Sequence, residues 1–135
     1  MRVDEIMTTP VTTCRQTDSL NRAAQLMWEG GFKCLIVIDE GGKAIGVVTD
    51  RDICMAAYTQ GRLLEHIQVE VAMAHEVFSC LDSDFIEEAE RMMDEHQVRR
   101  LPVLDVDRTP VGILSSADIA KARSRINATL GQTVS

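Results

Sequence analysis

Hydrophobic positions along this chain switch between two spacings, and the switch happens twice. Leu20, Ala23, Ala24 and Met27 recur at helical spacing. Asp18 or Ser19 stands ready to cap that helix, and Gly30-Gly31 to end it. An uninterrupted apolar run, Cys34–Ile38, has the length of a buried strand. Asp39-Glu40-Gly41-Gly42 supplies a hairpin turn, and residues 44–48 return as a second strand. Thr49 or Asp50 opens a further helix reaching about Tyr58, while Pro10-Val11-Thr12-Thr13-Cys14 reads as extended chain before the first helix. After residues 61–70 the plan recurs. A strand is predicted near 77–80, a helix from Asp84 to about Glu95 and strands at 101–104 and 111–114 around a turn at 105–109. A final helix begins at Ser116, and residues 127–135 read as a frayed tail.

The recurrence is a true internal repeat. A shift of 66 residues, with no gap, sets Met7 on Met73, Cys14 on Cys80, Asp18 on Asp84 and Met27 on Met93. It also sets Leu35 on Leu101, Asp39 on Asp105, Gly46 on Gly112 and Asp52 on Asp118. Core, turn and helix positions travel together, which marks a pair of equivalent units. Each unit alone leaves an apolar sheet face, so the two are expected to pack together.

The most chemical stretch in each copy lies where a strand gives way to a helix: Gly46-Val47-Val48-Thr49-Asp50-Arg51-Asp52 and Gly112-Ile113-Leu114-Ser115-Ser116-Ala117-Asp118. A helix N-terminus offers unpaired N–H groups and the positive end of its dipole to an anion. A carboxylate three residues on can accept hydrogen bonds from a cis-diol, so the combination suits a phosphorylated ribose. The same Ser/Thr-to-acid spacing also describes a capping box, which only starts the helix.

Composition narrows the alternatives. Lys and Arg number 14 against 21 Asp and Glu, a net charge of −7, which disfavours nucleic acid and anionic membrane as partners. No apolar run approaches a membrane span and the first 13 residues lack the apolar stretch of a signal peptide, so a cytoplasmic location is expected. The four cysteines stand singly, without metal spacing, and His66, His75 and His96 are scattered; no metal site is expected. No nucleophile stands with a base and an orienting partner, so no catalytic residue is assigned and the chain is not read as an enzyme.

Glu5-Ile6-Met7-Thr8, the strands from Leu35 to Asp39 and from Leu101 to Asp105, and the two Gly-x-x-Thr/Ser-x-x-Asp stretches together resemble a tandem pair of CBS domains, a Bateman module. The resemblance covers residues 3–123. It implies an α+β fold of two CBS domains related by a pseudo-twofold axis, each a small three-stranded sheet packed with two helices. The domains would be 3–60 and 71–124, with a linker at 61–70 and a tail at 125–135. It also implies regulation by an adenosine-containing ligand (AMP, ADP or ATP, S-adenosylmethionine or a dinucleotide such as NAD) bound in clefts between the copies. No cofactor is required. Carried over by position, site A combines Thr49, Arg51, Asp52, Val77 and Phe78 with Val98, Arg99 and Arg100. Site B combines Ser115, Ser116 and Asp118 with Phe32 and Lys33, and with Thr8 and Thr12 of the leading strand. Three guanidinium groups against one ammonium make site A the expected phosphate site. Site B would then hold an uncharged nucleoside or nothing. The resemblance further implies a homodimer, through the second helix of each copy, and signalling to an effector protein. The rival reading is an assembly module with vestigial clefts.

Overall fold

Ser19 starts the first helix: its hydroxyl accepts from the Arg22 N–H at 3.0 Å, and α1 (Leu20–Gly30) buries Leu20, Ala23 and Met27. Gly31 ends it in the left-handed region at φ 69°. The computed structural model describes residues 1–134, with side chains as far as residue 131. Beside α1, β1 (Thr13–Arg15), β2 (Cys34–Ile38) and β3 (Ala44–Thr49) form a three-stranded sheet in that order. β1 runs parallel to β2, with Cys14 opposite Val37, and β3 runs antiparallel, with Leu35 opposite Val48. β3 leads into α2 (Asp50–Gln60), and a 3₁₀ turn at Leu64–His66 leads into the short α3 (Val69–Ala72). The plan then repeats with β4 (Cys80–Leu81), α4 (Ile86–His96), β5 (Arg100–Leu104), β6 (Pro110–Ser115) and α5 (Ser116–Val134). β4, β5 and β6 form the second three-stranded sheet, again with its first pair parallel.

The chain divides into two compact units that do not follow the repeats. The amino-terminal unit is Thr12–Val77 with Asp107–Pro110; the carboxy-terminal unit is Phe78–Val106 and 111–134 with Met1–Val11. The leading segment of each repeat has joined the body of the other. Val3 is fully buried among Cys80, Ile86, Leu101 and Leu114, and its N–H donates to the Asp84 carbonyl at 2.8 Å. Its repeat equivalent, Val69, is fully buried among Cys14, Leu20, Val37 and Val48 and donates to Asp18 at the same distance. Residues 61–70, expected to link the copies, thus also carry core, since Ile67 and Val69 are buried. An apolar residue at each position fills the gap above a sheet too small to close its own core.

Two expectations at element ends are corrected. The second-repeat helix begins at Ile86 rather than Asp84, because the Asp84 carboxylate turns back to accept from the Leu81 N–H at 2.9 Å. Asp18 does the same to Arg15. The tail read as frayed is helical as far as Val134, with the Thr129 hydroxyl donating to the Arg125 carbonyl at 2.9 Å and no proline to stop it; Ser135 lies outside the described residues. Among the described residues no helix is long and apolar enough to cross a membrane.

Both cores are built of aliphatic, Met and Cys side chains, and among the described residues no charged or polar residue is buried. Cys14 and Cys80 lie inside them. Burial, then the neighbouring Asp18 or Asp84, pushes each thiol up from 9.0 to about 12. A thiolate is the reactive form, so these twins are inert at neutral pH. Because the folded values lie above the unfolded one, their contribution to stability is intact below pH 9 and falls as pH rises from 9 toward 12. At pH 7.5 a thiol reagent is expected to label exposed Cys54 quickly, and Cys14 and Cys80 only on unfolding. Peptide mapping of the labelled protein checks this. Prompt labelling of Cys14 would contradict it.

Candidate ligand sites at the two motif helices

Each motif forms a complete capping box. In the amino-terminal unit the Thr49 hydroxyl accepts from the Asp52 N–H at 3.1 Å and the Asp52 Oδ2 accepts from the Thr49 N–H at 2.9 Å. In the carboxy-terminal unit Ser115 and Asp118 make the same pair at 3.0 Å in both directions. The capping and ligand roles are compatible, because the box uses one carboxylate oxygen and leaves Oδ1 of each aspartate without a partner among the described residues. Thr49→Ala is expected to lower stability by about 1 kcal/mol through loss of the cap, measured by urea unfolding.

The helix N-termini differ where the sequence suggested equivalence. At α2 all three leading N–H groups are taken. Asp50 N–H donates to the Lys33 carbonyl at 3.1 Å, Arg51 N–H to the Asp50 Oδ1 at 2.8 Å, and Asp52 N–H to Thr49. The expected set of unpaired N–H groups is therefore absent at this turn, because Asp50 supplies an acceptor of its own. At α5 Ser116 N–H donates to the Arg99 carbonyl at 2.9 Å and Asp118 N–H to Ser115, but Ala117 N–H has no partner among the described residues.

Those carbonyl bonds also set which basic residue stands beside which motif. A groove of about 500 Å3 in the amino-terminal unit is lined by Met27, Trp28, Phe32, Lys33, Asp50 and Ile53. One of about 270 Å3 in the carboxy-terminal unit is lined by the repeat equivalents Met93, Asp94, Val98, Arg99, Ser116 and Ile119. Phe32 and Lys33, read with Ser115, Ser116 and Asp118, stand in the groove beside the Thr49–Asp52 turn. Val98 and Arg99, read with Thr49, Arg51 and Asp52, stand beside Ser116. Arg100 follows Arg99 at the start of β5 and is exposed like it.

The other site residues are distributed as follows. Thr8 lies in the carboxy-terminal unit, bridged to Ile113, and its hydroxyl donates to the Asp118 Oδ2 at 3.4 Å. Thr12 and Val77 are half-buried in the amino-terminal unit, apart from the motif hydrogen bonds. Phe78 belongs to the carboxy-terminal unit and stacks on His96 with ring centroids 3.8 Å apart and planes at 17°. That stack was not foreseen, since no spacing rule joins residues 78 and 96. Among the described residues no three His, Cys, Asp or Glu side chains could hold a metal ion together.

Comparison with known proteins agrees on the fold and the family. The family model described as CBS domain matches residues 3–58 and 67–125. The chain is 35% identical over 118 residues to the CBS domain-containing protein YhcV of Bacillus subtilis, covering 87% of this chain and 82% of that protein. It is also similar to CBSX2 crystallised in complex with AMP, at 28% identity and a TM-score of 0.80, covering 93% of this chain and 98% of that one. The CBS domain pair of protein MJ0100, crystallised with 5′-methylthioadenosine and S-adenosyl-L-methionine, superposes with a TM-score of 0.79 at 25% identity, over 92% of this chain and 96% of that one. Of longer relatives such as the L-aspartate semialdehyde sulfurtransferase of Methanosarcina acetivorans, 30% identical, the chain spans only 24% of the length.

Proposed function

The chain belongs to the CBS domain family, and on that premise we propose that it is a non-catalytic regulatory module that binds adenosine-containing ligands at its two motif helices. The observation that carries this reading is the motif aspartate of each unit, fixed by its cap and presenting a second, unspent carboxylate oxygen. Ribose hydroxyls are the matching donors. The ligands named for the CBSX2 and MJ0100 structures support an adenosine compound, with AMP as the first to test.

The hydrogen bonds within the units favour two sites of different taste. Arg99 stands beside Ser116 at the Ser115–Asp118 turn, with Arg100 next to it in sequence, and the Ala117 N–H is open, so this is the phosphate site. The Thr49–Asp52 turn has Lys33 and Arg51, but its leading N–H groups are spent and Asp50 adds negative charge, so it holds a nucleoside moiety. This inverts the phosphate assignment drawn from the arginine count. Of the remaining residues of both sets, Val98 and Phe32 supply apolar groove walls, Val77 and Phe78 further apolar surface, and Thr12 a hydroxyl. Binding favours one arrangement of the two units and thereby alters contact with an effector protein.

Thermal denaturation with a panel of adenosine, AMP, ATP, NAD and S-adenosylmethionine tests the reading. A ligand at a hundredfold excess over its Kd is expected to stabilise the fold by about 2.7 kcal/mol. Raised salt is expected to weaken AMP binding and leave adenosine binding unchanged. No stabilisation by any of the five would leave the assembly role as the better account. Homodimerisation is proposed beside ligand binding, since Trp28 is 88% exposed and Tyr58 82% exposed on α1 and α2. Light scattering at tens of micromolar should give twice the chain mass, and a monomer would contradict this.

A further inference from the structure

The two motif carboxylates are not equivalent acceptors. Asp118 Oδ2 receives the Ser115 N–H at 3.0 Å and the Thr8 hydroxyl at 3.4 Å. Asp52 Oδ2 receives only the Thr49 N–H at 2.9 Å among the described residues. The residue equivalent to Thr8 under the repeat is Ala74. The backbone is the same at both places: Thr8 and Ile113 exchange both hydrogen bonds at 2.8 and 3.1 Å, as Ala74 and Val47 do at 2.9 and 3.1 Å. One hydroxyl is thus added to one site and withheld from the other on an unchanged scaffold.

A carboxylate oxygen has two acceptor positions. On Asp118 Oδ2 the Ser115 N–H fills one and the Thr8 hydroxyl, in a long contact of 3.4 Å, covers the other, so a cis-diol engages Oδ1 more readily than Oδ2. On Asp52 one position of Oδ2 stays open, so the two hydroxyls can spread over both oxygens. We propose that Thr8 is a specificity-determining residue: an internal occupant of Asp118 that makes the carboxy-terminal site tolerant of a missing ribose hydroxyl, while Ala74 leaves the amino-terminal site strict for the intact cis-diol. This rests on the adenosine-ligand reading above and adds to it which sugar each site accepts.

The test compares AMP with 2′-deoxy-AMP by calorimetry, one site at a time. In an Asp52→Ala background, which isolates the carboxy-terminal site, the parent should discriminate weakly. Adding Thr8→Val, which removes the hydroxyl at constant shape, should raise the ratio of the two Kd values about three- to tenfold, the worth of one hydrogen bond. Thr8→Ser keeps the hydroxyl and should leave the ratio at the parent value. In an Asp118→Ala background Ala74→Thr should lower the ratio at the amino-terminal site by a similar factor. A ratio unmoved by both Thr8→Val and Ala74→Thr, with AMP still bound, overturns the role of Thr8 alone. Failure of the unmutated protein to bind AMP at millimolar concentration overturns the ligand reading itself, and this inference with it.

Discussion

Replacement of Asp52 by alanine is expected to weaken adenosine binding at the amino-terminal unit by roughly ten- to a hundred-and-fifty-fold. In the proposed site two ribose hydroxyls donate to the Asp52 carboxylate, and hydrogen bonds to charged groups are worth about 1.5–3 kcal/mol. The substitution also removes the acceptor for the Thr49 N–H, made at 2.9 Å, so some stability is lost with it. Asp52→Asn separates the two effects. Its amide oxygen can still accept from Thr49, but its amide donors face hydroxyls where acceptors are needed. The asparagine variant should therefore unfold close to wild type in urea and still lose adenosine affinity. Asp118→Ala, in the other unit, should leave adenosine affinity at this site nearly unchanged. If Asp52→Ala binds adenosine as tightly as wild type in a calorimeter, the carboxylate only caps its helix.

The largest effect on stability is expected at Gly46. A methyl group added there would stand 2.6 Å from the Ala74 carbonyl oxygen and 2.8 Å from the Met73 sulfur. The carbonyl is fixed by its bond from the Val47 N–H, so neither backbone can withdraw without breaking the bridge that holds Ala74 to β3. Overpacking of this kind costs about 1–3 kcal/mol, and Gly46→Ala should fall at the upper end. At Gly112 the nearest atom is the Met7 sulfur at 2.7 Å, the end of a flexible side chain, while the Thr8 carbonyl stands at 3.1 Å. Gly112→Ala should cost less. Chemical denaturation of the two variants under the same conditions checks the order. Equal losses would show that the carbonyl at Gly46 yields as easily as a methionine.

Much of this was legible before any coordinates. The gapless offset fixed which residues are equivalent, and the structure keeps those equivalences down to single hydrogen bonds, as with Val3 to Asp84 and Val69 to Asp18. The strand Cys34–Ile38 and the boundary at Thr49 followed from apolar run length and capping chemistry. What escaped was long-range. Val3 and Val69 each stand between two polar residues, and nothing in their own neighbourhoods says that each completes the core of the other repeat's body. The closure of the α2 N-terminus was missed for a different reason. By sequence Asp50 is a helix opener, which it is, but its carboxylate also occupies the Arg51 N–H that an anion would use. Likewise, counting arginines by repeat position could not reveal that Arg99 lends its carbonyl to Ser116 and so stands with that motif.

The central claim is that both motif turns receive an adenosine-containing ligand. The most direct measurement is a titration of the 15N-labelled, ligand-free protein with AMP, followed amide by amide. The account predicts saturable shifts at Thr49 to Asp52 and at Ser115 to Asp118, with the Ala117 amide among the most affected. Saturation with shifts confined to other surfaces, or no shifts at millimolar AMP, would contradict it.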